Sequence, residues 1–191
     1  MALEPGKNAG VLGVRAETTY VPAADGSQVA AQASGFVVAR EWLRVKKGAD
    51  VPPERVPLAQ PGTTLALAVG DLVEEHVQVV NPEERHYVAV VVPLAAGMEP
   101  LNPKLATASS DATAAGVLTL EPTYTAFLDD RLSFYYDTLP KGTFDFYFRA
   151  RAATGGRFVQ PAAQAEMMYD GSVRGNSAGA RLEVGPPAER R

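Results

Sequence analysis

"RLSFYYDTLPKGTFDFYFRARA", residues 131–152, decides the fold. Its second half alternates without a break. Phe144, Phe146, Phe148, Ala150 and Ala152 share one parity; Asp145, Tyr147, Arg149 and Arg151 share the other. Successive side chains of a strand point to opposite faces, so this run is a strand with an apolar inner face. The first half sets Leu132, Phe134 and Tyr136 against Ser133, Tyr135 and Asp137 in the same way. Between them Pro140 and Gly142 supply turn geometry. The expectation is an antiparallel hairpin over 131–152 with an aromatic inner face.

Further strands appear on both sides. "VLGVRAETTYV" (11–21) mixes β-branched and polar residues. "GFVVAREWLRV" (35–45) places Phe36, Val38 and Trp42 on one side, with Arg40 breaking the pattern. "LVEEHVQVV" (72–80) aligns Val73, Val77 and Val79, and "HYVAVVVPL" (86–94) is apolar on both faces, as a central strand is. "ARLEV" (180–184) reads as the last strand. With 15 prolines and 17 glycines there is little room for long helices. The class is all-β, a sandwich of two antiparallel sheets. The expectation is one domain over residues 11–184, with 1–10 a tail or a non-native addition and 185–191 a disordered C-terminal tail. The connection 46–62 is a Pro-rich excursion; 95–122 holds a short helix or is loose surface.

The chain has 191 residues, 46% hydrophobic and 21% charged, which suits a single soluble domain with a sizeable core. A net charge of −4 with no basic block argues against nucleic acid and anionic membranes as partners. No cysteine is present, which excludes disulfides, thiolate nucleophiles and Cys-zinc sites. No apolar signal region opens the chain and no stretch has the length of a membrane span. A cytosolic protein and a mature piece of a longer secreted chain are both consistent with that.

No catalytic apparatus is visible, so no enzyme activity, metal or cofactor is expected. His76 and His86 would meet near "NPEER" if 72–80 and 86–94 paired as a hairpin. A metal site there would need a third ligand from Glu74, Glu75, Glu83 or Glu84; two strand-edge histidines are the simpler reading. Asp129 and Asp130 offer calcium or acid–base chemistry, but a turn before the next strand suffices. Arg149 and Arg151 suit an anion clamp or, more simply, a solvated face with local ion pairs. Trp42 fits core packing better than a sugar platform.

Several stretches, in order, resemble the C-terminal domain of bacterial alpha-2-macroglobulins. "GFVVAREW" is similar to that family's glycine-led strand. "VGDLVEEHVQVVNPEERHYVAVVVPLAAGMEPLNPKLAT" is similar to its central block. "DDRLSFYYDTLPKGTFDFYFRARAATGGRFVQPAAQAEMMYDGSVRGNSAG" resembles its final block almost throughout. Members often carry Asp-Pro-Leu-Pro-Ala-Gly where this chain has Val92-Pro93-Leu94-Ala95-Ala96-Gly97, which puts a turn there in doubt. The resemblance implies an immunoglobulin-like macroglobulin domain of a periplasmic or cell-envelope protease inhibitor. In such a protein a protease cuts a bait region, and a thioester made by Cys and Gln captures it. Without cysteine this chain holds no thioester, so its partners would be the thioester-containing and other domains of the same parent chain, and target proteases only indirectly.

The resemblance also gives a meaning to "PAAQAEMMYDGSVRGNSAG", 161–179, an apolar-centred connection between strands. It implies that Met168 and Tyr169 shield the thioester of a neighbouring domain until bait cleavage. An acyl–sulfur bond hydrolyses if water reaches it, and Met and Tyr exclude water without adding a strong nucleophile. Pro161, Gly175 and Gly179 would support the loop. From the residues alone, Met167, Met168 and Tyr169 could instead plug one end of the domain's own sandwich. Substantial exposure of Met168 and Tyr169 would favour the lid. A second reading is a stand-alone binding module, adhesin-like or carbohydrate-binding, which exposed Trp42, Tyr135 and Tyr147 on one flat face would support.

Overall fold

The computed structural model describes residues 26–45, 54–58 and 60–187. The strand expected over 11–21 lies outside the described residues, as do 46–53 and 188–191. The described residues form strands joined by turns, with two 3-10 turns, Gly26–Gln28 and Ser110–Ala112. No described helix is long and apolar enough to cross a membrane.

The first sheet has six strands, in the order β1 (Gln32–Ser34), β13 (Asp170–Asn176), β12 (Gln164–Met167), β6 (Arg85–Pro93), β9 (Arg131–Leu139) and β8 (Tyr124–Phe127). The second has five: β3 (Glu54–Pro57), β2 (Val37–Val45), β5 (Leu72–Asn81), β10 (Gly142–Ala152) and β7 (Met98–Leu101). All neighbours in these two sheets are antiparallel. A third, three-stranded sheet joins β11 (Gly156–Gln160), β14 (Ala180–Gly185) and β4 (Thr63–Ala68), and its β14–β4 pair is parallel. That third sheet goes beyond the expected pair. Its Leu65, Leu67, Leu182 and Val184 enter the same core as the two large sheets.

The aromatic stretch packs as its alternation demands. Phe144, Phe146, Phe148, Ala150 and Ala152 are all buried, and so are Leu132, Phe134 and Tyr136. Their pairing differs from expectation, because residues 131–152 are not a hairpin. β9 pairs with β6 and β8, whereas β10 pairs with β5 and β7. The turn at Pro140 carries the chain from one sheet to the other, and Phe134 meets Phe146 across the core at 4.8 Å between ring centroids. The conditional pairing of 72–80 with 86–94 fails in the same way, since β5 and β6 lie in different sheets. Buried Asn81 sits at both crossings. Its amide donates to the carbonyls of Leu139 and Pro140 at 3.1 and 2.9 Å, and its Oδ1 accepts from Arg85 at 3.1 Å.

Strand β6 is central, with Val88, Val90 and Val92 fully buried and Ala89 buried on the opposite parity. Arg40 does not interrupt the inner face of β2 but belongs to it, buried between Val38 and Trp42. The 46–62 excursion contains a strand, β3, paired with Glu41–Arg44. The 95–122 connection is pinned down. Glu74 accepts from the amides of Ala115 and Gly116 at 2.7 and 2.9 Å, and Tyr136 donates its hydroxyl to Leu120 O at 2.9 Å. Thr119 and Asp145 exchange backbone and side-chain bonds, which covers the part of β10 that β7 leaves unpaired.

Trp42 is 2% exposed, in the core, so the flat platform of Trp42, Tyr135 and Tyr147 does not exist. Tyr135 and Tyr147 also belong to different sheets. Asp129 and Asp130 form a turn closed by Leu128 N and Arg131 O at 3.0 Å. Arg149 pairs with Glu74 at 3.1 Å, and Arg151 approaches Asp111 at 3.9 Å.

Candidate functional site

The stretch 161–179 is itself a hairpin rather than a loose connection. Strand β12 runs out beside β6, and β13 returns beside β1. Met167 faces Asp170, so Met168 and Tyr169 stand at the apex. Met168 is 49% exposed and Tyr169 81%, while Met167 packs against the core. The two residues expected to form the shielding loop therefore come together and are exposed outside the sandwich. Neither plugs its end.

The apex is held by bonds rather than by burial. Met168 N donates to Tyr87 O at 2.8 Å, one step beyond the last β12–β6 partners, Met167 and Val88. The Tyr169 ring meets Tyr87 edge to face, 5.3 Å between centroids and 81° between planes. Asp170 turns the chain back by accepting from the Ser172 hydroxyl at 2.6 Å and the Ser172 amide at 3.1 Å. Those Ser172 bonds hold the Asp170 carboxyl below the usual carboxylate range.

The supports divide into two kinds. At the N-terminal base, Pro161 O accepts from Arg40 Nη1 at 2.9 Å and from Gln160 Nε2 at 3.3 Å. Arg40 is itself fixed by a two-point bond to Glu75, at 2.9 and 2.8 Å, and donates to Pro93 O at 3.1 Å. Gln160, fully buried, joins the same carbonyl at 2.7 Å and accepts from Ala95 N. At the C-terminal side the glycines are needed for close approach. A Cβ on Gly175 would lie 2.2 Å from Phe36 O, and one on Gly179 would lie 2.0 Å from Gly26 O. Ser177 closes the base, its hydroxyl accepting from Ala163 N at 2.9 Å.

Sequence reasoning missed Arg40, Gln160 and Tyr87. The first had a visible signal, a charged residue at a core parity. Tyr87 had none, because it reads as an ordinary strand residue.

The histidines do not converge. His76 lies between Glu41 at 2.7 Å and Asp145 at 2.8 Å, on opposite ring nitrogens, and stacks on Tyr147. Carboxylates on opposite sides of a ring cannot share one ion with it. His86 bonds Thr138 at 3.0 Å. Of the nominal third ligands, Glu75 is taken by Arg40, Glu74 by Arg149 and Glu83 by Arg85. Among the described residues no group of three His, Cys, Asp or Glu could hold a metal ion.

Two facing antiparallel sheets over one core are the architecture of an immunoglobulin-like macroglobulin β-sandwich. The family model of the Bacterial Alpha-2-macroglobulin MG10 domain matches residues 35–171. The chain belongs to that bacterial alpha-2-macroglobulin family, as a macroglobulin-domain module. Among solved structures, Salmonella alpha-2-macroglobulin reacted with methylamine is 26% identical, with a TM-score of 0.59 over 82% of this chain and 10% of that one. Escherichia coli alpha-2-macroglobulin activated by porcine elastase is 22% identical, with a TM-score of 0.62 over 83% and 14%. A native Escherichia coli fragment from domain MG7 to the C-terminus is 23% identical, with a TM-score of 0.54 over 82% and 24%. This chain thus spans between a tenth and a quarter of the chains it resembles. No curated protein matches its sequence.

Proposed function

We propose that this chain is the non-catalytic cap of a bacterial alpha-2-macroglobulin-like protease inhibitor in the periplasm or cell envelope. It covers the thioester of a neighbouring domain in the same parent chain until bait cleavage moves it away. One observation carries the reading: Met168 and Tyr169 stand at a hairpin apex outside their own core. Such a pair at the surface of a lone domain wastes apolar area; against another domain it excludes water from whatever lies beneath. The relatives fit this use. The Salmonella protein was solved after reaction with methylamine, a small nucleophile, and the Escherichia coli protein after activation by a protease. Arg40, Gln160, Gly175 and Gly179 fix the two legs of the hairpin, so the apex is delivered at a defined height.

The test uses the parent chain carrying Met168→Ala and Tyr169→Ala, with methylamine in solution and release of the free thiol as readout. Each variant should react at least about tenfold faster than the parent, since burying a large side chain is worth roughly 1.5–3 kcal/mol. Unchanged rates in both would remove the cap function while leaving the fold intact.

A further inference from the structure

Tyr87 is the only described non-glycine residue with a positive φ, at 53°. The left-handed region costs an L-residue with a large side chain roughly 1–2 kcal/mol. Nothing inside the sandwich asks for it: Tyr87 is 52% exposed, the third residue of β6, and the next residue, Val88, is fully buried. The β6–β9 register is unbroken on either side, with His86 opposite Thr138 and Val88 opposite Tyr136, yet Tyr87 makes no pair with Asp137. Asp137 N bonds Thr123 Oγ1 at 3.1 Å instead. The strained residue gains two contacts in return, both with the hairpin apex. Its carbonyl accepts from Met168 N, and its ring takes the edge-to-face contact with Tyr169.

We infer that Tyr87 is a positioning residue of the cap, holding the Tyr169 ring and the Met168 backbone in the pose that meets the neighbouring domain. This rests on the cap reading and extends the apolar apex from two side chains to three. Tyr169 has no other ring neighbour among the described residues. Without Tyr87 it would sample several rotamers, and only some of them would cover the bond beneath.

Two substitutions separate ring from backbone. Asparagine accepts the left-handed region and glycine does so freely, so Tyr87→Asn and Tyr87→Gly each remove the ring and keep the turn. In the parent chain, methylamine should react about two- to tenfold faster with either, the range an aromatic contact is worth. Tyr87→Phe should react at the parent rate. In a Tyr169→Ala background, Tyr87→Asn should add nothing, because its effect passes through Tyr169. The inference is overturned if Tyr169→Ala accelerates the reaction and neither Tyr87→Asn nor Tyr87→Gly does, or if the two sites multiply independently. If Tyr169→Ala has no effect while Met168→Ala accelerates the reaction, this inference fails and the cap reading stands; if neither has an effect, both fail. Urea unfolding of each variant checks that the domain is folded; Tyr87→Gly serves if Tyr87→Asn is not.

Discussion

The side chains of Arg40 and Glu75 are both wholly inaccessible, on the facing side of adjacent strands against a largely apolar core. Taking two charges out of water costs several kcal/mol each, and their attraction recovers this only with good geometry and further hydrogen bonds. Here the carboxylate receives two parallel N–H bonds, and two further guanidinium donors reach the carbonyls of Pro93 and Pro161. The pair is therefore better explained as a way to fix the base of the hairpin than as a source of stability. Arg40→Met should cost about 3–5 kcal/mol, because it leaves a buried carboxylate alone. Arg40→Met with Glu75→Leu should regain most of that in urea unfolding. The double variant should still show increased methylamine sensitivity in the parent, since Pro161 O then keeps only the longer bond from Gln160. In the sequence, Arg40 was legible as a break in an apolar parity. Its partner was not, because Glu75 could be assigned to it only once β2 and β5 were known to be neighbours.

The hairpin at 161–179 separates function from folding within one element. Its apex is exposed, and surface substitutions of this kind usually change stability by no more than about 0.5 kcal/mol. Met168→Ala and Tyr169→Ala should therefore melt with the unsubstituted chain. Gly175→Ala should not. Its methyl group would meet the Phe36 carbonyl, a backbone atom that cannot step aside, and overpacking of this sort costs about 1–3 kcal/mol. A drop in Tm of roughly 2–10 °C is expected; an unchanged Tm would mean the β13–β2 approach is looser than it looks. Long strands such as β10 announced themselves through an unbroken alternation. β12, with four residues, and its pairing with β13, whose register slips between Glu166 and Met167, are too short and irregular to show a period, so the sequence reading left 161–179 as an apolar-centred connection rather than two strands.

Across the whole molecule, alternation told which residues turn inward and failed to tell which strands pair. A strand buries the same side chains in either sheet, so 131–152 looked like a hairpin although its halves face each other across the core. Polar side chains do the joining that periodicity cannot report. His76 on β5 spans to Glu41 on β2 and Asp145 on β10, and Asp145 also accepts from Gln78 at 2.9 Å and Thr119 at 3.3 Å. The Asp145 carboxylate thus ties β10 and β5 to the 113–122 segment, and His76 extends the link to β2 through Glu41. Partial burial pushes the Asp145 carboxyl up, but the bonds from His76, Gln78 and Thr119, with the charge of His76, outweigh it and leave it below its ordinary 3.8. A carboxyl lowered on folding stabilises the native state above its unfolded value, and that contribution is lost as pH falls through the lowered one. Asp145→Asn should therefore have a lower urea midpoint than the unsubstituted chain at neutral pH. The gap should hold down to about pH 4 and narrow below 3.8. A gap that stays constant into strong acid would assign the role of Asp145 to shape, with its charge contributing nothing to the union of the sheet and its covering segment.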